Sequence, residues 1–446
     1  MKSEVAEVWV PLPPSTLYWM KAPLLGLLAV AVFAIAVAAA HPAGARAAHG
    51  VEYGLTDDAW LTNGPGTVDS RLDKLDALGV KVVRFTLEWS AIAATRPTQP
   101  SDPADTAYDW SGADAVLEGL HARGIDTVVQ LAGTPKWANG GRPSNYLPTS
   151  GSSFGNFATA AATRYRWVTR WLIWNEPNQP RWLRPASPRL YTLRLLNPAY
   201  AAIHRVISGA RVAGGGTAPR GGSGGISPIA FLMGMHAAHA KLDAYAHNPY
   251  PLDPKRESPL KGGCTHCSTI TMATIGKLVR LVAVNFPRAR IWLTEYGYQS
   301  NPPDRLLGVS PEKQARYIGE GDLVAYRTPR VDLLIHFLYQ DEPNLARFQS
   351  GLVTLAGRAK PALAAFGLPL AETRRAGSSA SFWGQLRAPD GGTTARIERL
   401  VGRTWSSIGV ARANNRGFFT FTASLAPGTR VRAVAGTVVG ATLTVV

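Results

Sequence analysis

The sequence has little of what a disulfide-rich, disordered or fibrous protein would need. Of its 446 residues only 2 are cysteine and 17% are charged, whereas 46% are hydrophobic. With this hydrophobic content the chain is far too apolar for a disordered protein, and two cysteines cannot build a disulfide scaffold. The chain is long and apolar enough to bury a large core. Its length predicts two or three domains, or one large barrel with an accessory module.

Acidic residues are also scarce. There are 30 Asp and Glu against 47 Lys and Arg, which is a formal net charge of +17. Such a surplus is compatible with a nucleic-acid or acidic-polymer partner. The basic residues are scattered, however, and are not interleaved with aromatic residues in the way that base-reading strands or helices require. We therefore expect no nucleic-acid partner, and an anionic cell-wall polymer stays an open alternative.

The one long apolar run lies near the amino terminus. Residues 23–40 are apolar without interruption, Lys21 precedes them, and the small-residue stretch AGARAA follows. This order is typical of a secretory signal with cleavage near Ala45 or Ala47. The run also reaches the lower limit of length for a membrane span. We interpret residues 1–49 as a signal peptide or membrane anchor with a leader, and expect the remainder to be secreted or extracellular.

Eight short runs rich in apolar and β-branched residues alternate with helix-like segments over residues 50–370. The runs are VEYGL near 51, VKVVRFTLEWS at 80–90, IDTVVQLAG at 125–133, RWLIWNE at 170–176, RVAGGG at 211–216, LDAYAHNPY at 242–250, RIWLTEYGY at 290–298 and VDLLIHFLYQ at 331–340. This alternation predicts an α/β fold of the (β/α)8 TIM barrel type. An open doubly wound sheet fits less well, because the stretch GGGTAPRGGSGG lacks the context of a P-loop or dinucleotide-binding loop.

The pattern changes from about residue 371. Short strand-like runs such as GFFTFTASL and TRVRAVAG are separated by turn residues, which predicts a small all-β sandwich domain over residues 371–446. We expect the stretch ETRRAGSSAS to be a mobile linker and the domain to fold independently. Because it holds ten arginines and three acidic residues, it is a candidate anchor on an anionic wall polymer, and an inert spacer is the alternative.

The two cysteines stand close together in the loop sequence GGCTHCS. A zinc site on Cys264 and Cys267 would need two further ligands, and no second pair with suitable spacing exists. For an exported protein a short loop-closing disulfide is the favoured interpretation. We expect no metal and no cofactor.

Two of the predicted strands end in a glutamate. Glu176 ends the fourth run, within WNEPN, and Glu295 lies in TEYG at the end of the seventh. Catalytic groups of a (β/α)8 barrel come from the carboxyl ends of its strands. A carboxyl group at the end of an apolar strand is costly without partners or a function. A salt-bridged structural glutamate is the alternative for either residue alone.

IWNEPN and LTEYGY resemble the acid/base and nucleophile motifs of clan A glycoside hydrolases, the retaining (β/α)8 glycosidases that include families 5 and 39. The resemblance covers roughly residues 50–368. It implies that Glu176 is the acid/base and Glu295 the nucleophile. One departure concerns the end of strand eight, where many clan A enzymes carry a tryptophan and this chain reads HFLYQ. Phe337 or Tyr339 is then the candidate sugar platform.

Five further positions match the family pattern. By the resemblance, Arg84 would bind Glu295 and keep it ionised, Tyr250 would donate to the same carboxylate, and Asn175 would bind the sugar 2-hydroxyl. Trp137 is a candidate for stacking on a sugar and His247 for binding substrate, although each could equally be a packed core residue. For Arg84 the alternative is a structural ion pair.

The sequence thus predicts a secreted retaining hydrolase of β-linked oligo- or polysaccharide that acts by double displacement. The expected partner is a carbohydrate substrate, and the expected oligomeric state is a monomer. Two alternatives remain: a catalytically inactive carbohydrate-binding surface protein, and a wall-polymer adhesion module that carries the barrel as a passenger.

Overall fold

The computed structural model of the protein describes residues 50–387 and 392–446. The predicted signal or anchor segment, residues 1–49, lies outside the described residues. Eight parallel strands form a closed barrel in the order in which they occur in the sequence. They are β1 (Glu52–Thr56), β2 (Val82–Glu88), β3 (Asp126–Ala132), β4 (Arg170–Ile173), β5 (Arg211–Thr217), β6 (Ala244–His247), β7 (Arg290–Tyr296) and β8 (Val331–Phe337). The predicted (β/α)8 barrel is therefore confirmed.

Small and apolar side chains fill the inside of the barrel. Strand β1 closes the sheet by pairing with β8, for example Gly54 with Ile335. A side chain on Gly54 could not fit, because a Cβ there would lie 2.6 Å from Ile335 Cδ1 and 2.3 Å from the Val82 carbonyl oxygen. The inner cluster consists of Val82, Val128, Leu172, Ala213, Ala244, Ala246, Trp292, Leu333 and Ile335. This packed interior leaves the loops after the strands to form the site.

The helices lie outside the strands. They are α1 (Asp58–Asn63), α2 (Val68–Ala77), α3 (Trp89–Ile92), α4 (Ser111–Ala122), α5 (Lys136–Asn139), α6 (Gly151–Arg164), α7 (Pro188–Tyr191), α8 (Asn197–Val206), α9 (Pro228–Ala237), α10 (Gly276–Asn285), α11 (Pro311–Arg327) and α12 (Pro361–Gly367). A π-helical turn, Thr192–Leu196, joins α7 to α8, and a short 3-10 turn, Met272–Thr274, precedes α10.

Three of these helices begin with the dipeptide Ser-Pro. Ser187, Ser227 and Ser310 each precede a proline at the first helical position, and each side chain accepts a hydrogen bond from a backbone N–H of the first turn. Serine satisfies a donor that the helix leaves free, while proline lacks the N–H that would be unpaired anyway. The dipeptide therefore fixes the start of α7, α9 and α11.

Eight further strands follow the barrel in two antiparallel sheets. The strands are β9 (Leu370–Ala376), β10 (Ser379–Gln385), β11 (Thr394–Val401), β12 (Thr404–Arg412), β13 (Phe418–Ser424), β14 (Arg430–Ala435), β15 (Val438–Val439) and β16 (Leu443–Thr444). One sheet has the order β13-β10-β9, and the other has β12-β11-β14-β15 with β16 also paired to β14. The two sheets share a separate apolar core that includes Phe382, Ile397 and Val431. The predicted all-β domain is confirmed.

The prediction of a mobile linker between the barrel and the sandwich is wrong. The stretch ETRRAGSSAS forms the end of β9, a turn at Gly377 and the start of β10, with Ser379 paired to Ala376. Its small and polar residues are typical of linkers, but here they alternate along two paired strands of an exposed hairpin. The direct connection from α12 into β9 leaves no free spacer between barrel and sandwich.

The sandwich packs on the outer side of β1. The Tyr53 ring centroid lies 6.5 Å from that of Trp383 and 6.4 Å from that of Phe418. Arg387 stands 4.2 Å over the Tyr53 ring and forms a 2.7 Å ion pair with Asp322 of α11, in which the two side chains are only 5% and 7% exposed. The last barrel helix has only 7 residues, so sandwich residues complete the cover of β1. This interface argues against the expected independence of the two parts.

Cys264 and Cys267 form a disulfide bond, as the sequence favoured. Within residues 50–387 and 392–446, no group of three or more His, Cys, Asp or Glu side chains is placed to hold a metal ion. No helix in these same ranges is both long and apolar enough to cross a membrane.

Candidate active site

A cleft of about 970 Å³ opens at the carboxyl ends of the barrel strands. Glu176 and Glu295 both line it. Strand β4 ends at Ile173, and the chain turns sharply after it: Trp174 and Glu176 adopt left-handed backbone angles, with φ of 70° and 38°. A hydrogen bond from the Glu176 N–H to the Gly216 carbonyl, 3.0 Å long, holds the turn. Strained residues of this kind concentrate at functional sites.

Two donors face the carboxylate of Glu295. Arg84 of β2 places its Nη1 atom 2.7 Å from Glu295 Oε1, and both side chains are at least nine-tenths buried. The Tyr250 hydroxyl donates a 3.1 Å hydrogen bond to Glu295 Oε2. Burial, and then the negative charge of Glu295, raise the pKa of Tyr250, so the phenol keeps the proton that it donates. Both contacts stabilise the ionised form of Glu295.

Glu176 lies in the opposite environment. Burial and the nearby negative charge of Glu295 raise the pKa of Glu176 to about 7. Its main donor is Asn248, whose amide nitrogen lies 3.2 Å from Glu176 Oε1. Asn248 is itself oriented by the Thr294 hydroxyl, which donates to its side-chain oxygen at 2.8 Å. A hydrogen bond from the Trp182 side chain lowers the pKa of Glu176, but by less than burial raises it. Burial therefore favours a proton on Glu176 up to the neutral range, whereas a cation and a phenol face Glu295.

Arg84 is held by more than its ion pair. Its Nη1 also donates to Gln130 Oε1 at 3.1 Å, and its Nε donates to the Thr56 hydroxyl at 3.3 Å. Asp58 accepts from the Thr86 N–H at 3.3 Å, and burial raises the pKa of Asp58. Burial lowers the pKa of Arg84, but the charges of Glu295 and Asp58 outweigh it and raise that pKa. The ends of β1, β2 and β3 thus fix the guanidinium beneath Glu295.

The structure brings five of the seven predicted site residues together. Besides the two glutamates, the cleft lining contains Arg84, Asn175 and Tyr250. Their strands are far apart in sequence and meet only because the barrel closes.

Trp137 and His247 are not in the cleft lining, so their predicted contact with substrate is corrected. The indole N–H of Trp137 donates to the Ala93 carbonyl at 2.8 Å, and its ring packs edge-on against Trp89. His247 is fully buried, with Nδ1 2.8 Å from the Thr217 hydroxyl and Nε2 3.0 Å from a backbone carbonyl oxygen. Burial lowers the pKa of His247 to about 4. Both residues support the walls of the barrel.

Of the two candidate sugar platforms, only Phe337 faces the cleft. It packs edge-on against Tyr250 and Phe348, with ring centroids 6.1 Å and 5.1 Å away. Tyr339 instead stacks on Trp60 outside the cleft lining, with ring centroids 4.0 Å apart. An aromatic wall therefore stands where the clan A tryptophan is missing.

Sequence reasoning missed Asn248, Trp182 and Asp58. Asn248 directly follows β6 and Asp58 follows β1, so the rule that strand ends carry functional groups could have found both. Trp182 lies in a loop six residues beyond Glu176. Only the fold shows that this loop returns to the cleft.

Several solved structures resemble the chain. A family 39 glycoside hydrolase from the gut symbiont Bacteroides cellulosilyticus WH2 is 18% identical, covers 86% of this chain and 80% of its own, and superposes with a TM-score of 0.57. The GH39 enzyme from Xanthomonas axonopodis pv. citri is 14% identical, with coverage of 89% and 94% and a TM-score of 0.57. CelM2, a bifunctional glucanase-xylanase from a metagenome library, is 10% identical, with coverage of 86% and 95% and a TM-score of 0.50.

The chain shares the fold of family 39 glycoside hydrolases. No family profile matches it, and no curated protein sequence does either. At identities this low the likeness establishes architecture, and activity has to be argued from the residues in the cleft.

Proposed function

We propose that the protein is a retaining glycoside hydrolase that cleaves β-linked glycosides by double displacement. The observation that supports this most is the contrast between the two cleft carboxyl groups. One is kept protonated by burial and by the charge of its neighbour, and the other is held by a cation and a phenol. Two carboxyl groups with opposite environments are what acid-and-nucleophile chemistry requires.

In the first step, protonated Glu176 donates to the glycosidic oxygen as the bond from that oxygen to the anomeric carbon breaks. The carboxylate of Glu295 attacks the same carbon and forms a glycosyl ester. In the second step Glu176, now ionised, removes a proton from water, and the water oxygen replaces Glu295 at the anomeric carbon. Asn175 lines the cleft beside Glu176 and is the candidate partner of the sugar 2-hydroxyl.

Arg84 and Tyr250 have a different task from the two glutamates. They hold one rotamer of the Glu295 carboxylate and stabilise its charge before attack. When the ester forms, this charge disappears, so the same contacts then favour release of the carboxylate in the second step. Asn248 likewise orients the carboxyl group of Glu176, by donating a hydrogen bond to its Oε1 atom.

A panel of 4-nitrophenyl and alkyl β-glycosides tests the proposal. Glu295→Gln should abolish turnover of all of them. Glu176→Ala should slow the alkyl glycosides far more than the 4-nitrophenyl ones, because nitrophenolate leaves without a proton. Glu118→Gln removes an exposed carboxyl group on α4 and serves as the control. Equal losses on both substrate classes in Glu176→Ala would contradict its role as the acid.

The stereochemistry of the product tests retention separately. Proton NMR of the first product formed should show the β-anomer, which later equilibrates. First release of the α-anomer would show inversion. Binding of glycans by the unmodified protein without any turnover would favour the alternative of an inactive carbohydrate-binding protein.

We also propose that the enzyme is exported and acts as a monomer on carbohydrate outside the cytoplasm. The support is the order of charge, apolar run and small residues in the first 49 positions. Mass spectrometry of the protein recovered from culture medium should find an amino terminus near residue 45 to 50. Recovery only from membranes, with the full amino terminus, would instead show an anchor.

A further inference from the structure

Acidic residues are almost absent from one third of the barrel. Between Asp126 and Asp243 the only acidic residue is Glu176, while thirteen Lys and Arg residues occur there. This segment runs from β3 to the loop before β6. Most of the net charge of +17 therefore belongs to one side of the molecule, the side that supplies Glu176.

Four arginines of this segment stand at or beside the mouth of the cleft, and we call them the arginine rim: Arg142, Arg181, Arg184 and Arg220. Arg181 and Arg220 belong to the cleft lining. The loops that carry the other two are joined to it through Asn145, a lining residue whose carbonyl accepts from the Arg184 N–H at 2.7 Å. The Asn145 amide donates to the Arg181 carbonyl at 3.1 Å. The loops that carry Arg142, Arg181 and Arg184 are therefore neighbours at the mouth of the cleft.

The rim has no compensating carboxylates. All four side chains are exposed, and none forms an ion pair with a residue in the described ranges, in contrast to Arg84 in the cleft floor. Three of the guanidinium groups lie against aromatic faces instead. Arg181 stands 5.4 Å over Trp182, while Arg142 and Arg184 stand 5.2 Å and 6.0 Å from the centre of the Tyr146 ring. Arg184 Nε donates to the Pro180 carbonyl at 3.0 Å, and stacking leaves the other N–H donors of these groups available.

The rim lies on the leaving-group side of the bond to be cleaved. Glu176 delivers its proton to the departing oxygen, so the departing group lies on the Glu176 side of Glu295. Trp182, over which Arg181 is stacked, donates to Glu176. Arg220 also lies on the Glu176 side of the cleft. Its carbonyl accepts a hydrogen bond from the side chain of Gln179, which belongs to the loop after Glu176.

The other end of the cleft has the opposite character. Asp58 and Glu88, from the ends of β1 and β2, both line it. Glu88 accepts from the Ser90 hydroxyl at 2.7 Å and lies against Gly133, where a Cβ atom would be only 1.6 Å from Glu88 Oε1. An anionic substituent would be repelled there and attracted at the rim. Arg347, in the loop after β8, also lines the cleft, so this negative character belongs to the ends of β1 and β2.

We propose that the leaving-group part of the substrate carries a negative charge, as a carboxylate, sulfate or phosphate, which the arginine rim binds. The proposal rests on the proposed glycosidase function and defines its substrate class. Guanidinium groups match the planar geometry of oxyanions and bind them through paired donors. A surface with a single sign of charge around a cleft also raises the local concentration of a charged substrate.

The test compares aryl β-glycosides that share one glycone and differ only in the aglycone: a carboxylate, a sulfonate, and the methyl ester of the carboxylate. We expect kcat/KM of the wild-type enzyme to be about 3- to 10-fold higher for the anionic aglycones than for the ester at low salt. Raising salt from about 0.05 M to about 0.5 M should remove most of this preference. The double variant Arg181→Gln/Arg220→Gln should bring the ratio to within about twofold of one.

The control variant, Arg166→Gln/Arg205→Gln, removes the same charge from the same acid-poor segment. Arg166 precedes β4 and Arg205 lies near the end of α8, both exposed and outside the cleft lining. It should keep the wild-type ratio. Equal ratios in the wild type and the rim variant, with the ester still hydrolysed, would overturn the anion proposal and leave the glycosidase function intact. No turnover of any aglycone with any glycone would overturn both.

A second measurement separates a glycan from a nucleic acid. Binding of fluorescent double-stranded DNA should be weak and equal in the wild type and the rim variant. Tight DNA binding that the rim variant alone loses, together with no advantage of the anionic aglycones, would show that the rim is a nucleic-acid surface and would refute the proposal.

Discussion

Removing the cation that faces Glu295 should move the pH profile of the enzyme upward. Arg84 and Glu295 are 5% and 9% exposed and 2.7 Å apart, so their contact is a charged hydrogen bond shielded from water. Such a bond contributes about 1.5 to 3 kcal/mol. At about 1.4 kcal/mol per pH unit, Arg84→Met should shift the acidic limb of kcat/KM upward by about 1 to 2 units, because ionised Glu295 becomes harder to form.

The basic limb should rise as well, though less. Burial and the charge of Glu295 raise the pKa of Glu176, whereas the positive charge of Arg84 lowers it. Without Arg84 the proton of Glu176 is held more tightly, so the acid stays functional to higher pH. The rate at the new optimum should fall by about 10- to 100-fold. Arg84→Lys should recover little, since the contacts with Gln130 and Thr56 need the guanidinium.

The assay is the full pH profile of kcat/KM on an alkyl glycoside, whose departure needs the proton of Glu176, with Arg387→Met as the matched control. Arg387 forms an equally buried ion pair with Asp322, 2.7 Å long, at the sandwich interface and away from the cleft. Its loss should destabilise the fold without moving either limb. Arg84→Met with unmoved limbs and near-native turnover would refute the reasoning and leave Arg84 as a structural ion-pair partner.

Three further predictions concern the acid, the domain interface and one glycine. The basic limb of wild-type kcat/KM should lie near pH 7, with activity lost as pH rises, because Glu176 acts in its protonated form and has a pKa of about 7; a limb above about pH 9 would contradict this assignment. Arg387→Met should lower the free energy of unfolding in urea by about 3 to 5 kcal/mol, and an unchanged value would show that the interface is dispensable. Gly133→Ala should destabilise more than Gly124→Ala. Both glycines have positive φ, but a Cβ on Gly133 would lie 1.6 Å from Glu88 Oε1, whereas nothing lies within 4 Å of one on Gly124. Equal losses would mean that Glu88 moves aside freely.

Deletion of the sandwich tests the packing seen here against the independence expected from sequence. Removal of residues 368–446 would expose Tyr53 and leave Asp322 buried without its cation. We therefore expect the truncated barrel to aggregate or to melt well below the full chain. Scanning calorimetry of both proteins measures this, and a truncated barrel with the same melting temperature would support the independent module.

The barrel and the two glutamates could be predicted without a structure, because local sequence patterns indicate both. Apolar runs that alternate with helix-like segments predict parallel strands joined by helices, and this prediction does not require knowing which strands pair. A carboxyl group at the end of an apolar strand, as at Glu295, is conspicuous since burial of such a group is unfavourable. The serine-proline starts of α7, α9 and α11 are local signals of the same kind.

Which other residues reach the cleft depends on how the closed barrel packs. Tryptophan and histidine are residue types that bind sugars. In this protein, however, Trp137 and His247 form hydrogen bonds within the protein, with the Ala93 carbonyl and the Thr217 hydroxyl. Asn248, one position after His247, points to Glu176 instead, because successive side chains of a strand face opposite sides. The charge of Glu295, which adds to burial in raising the pKa of Glu176, comes from β7, three strands further along the chain. Likewise, the stretch around Gly377 has the composition of a linker but forms a hairpin of β9 and β10, and β10 also pairs with β13, which lies further along the chain. Local patterns determine elements, whereas burial, charge and partner choice depend on contacts that exist only after the barrel has closed.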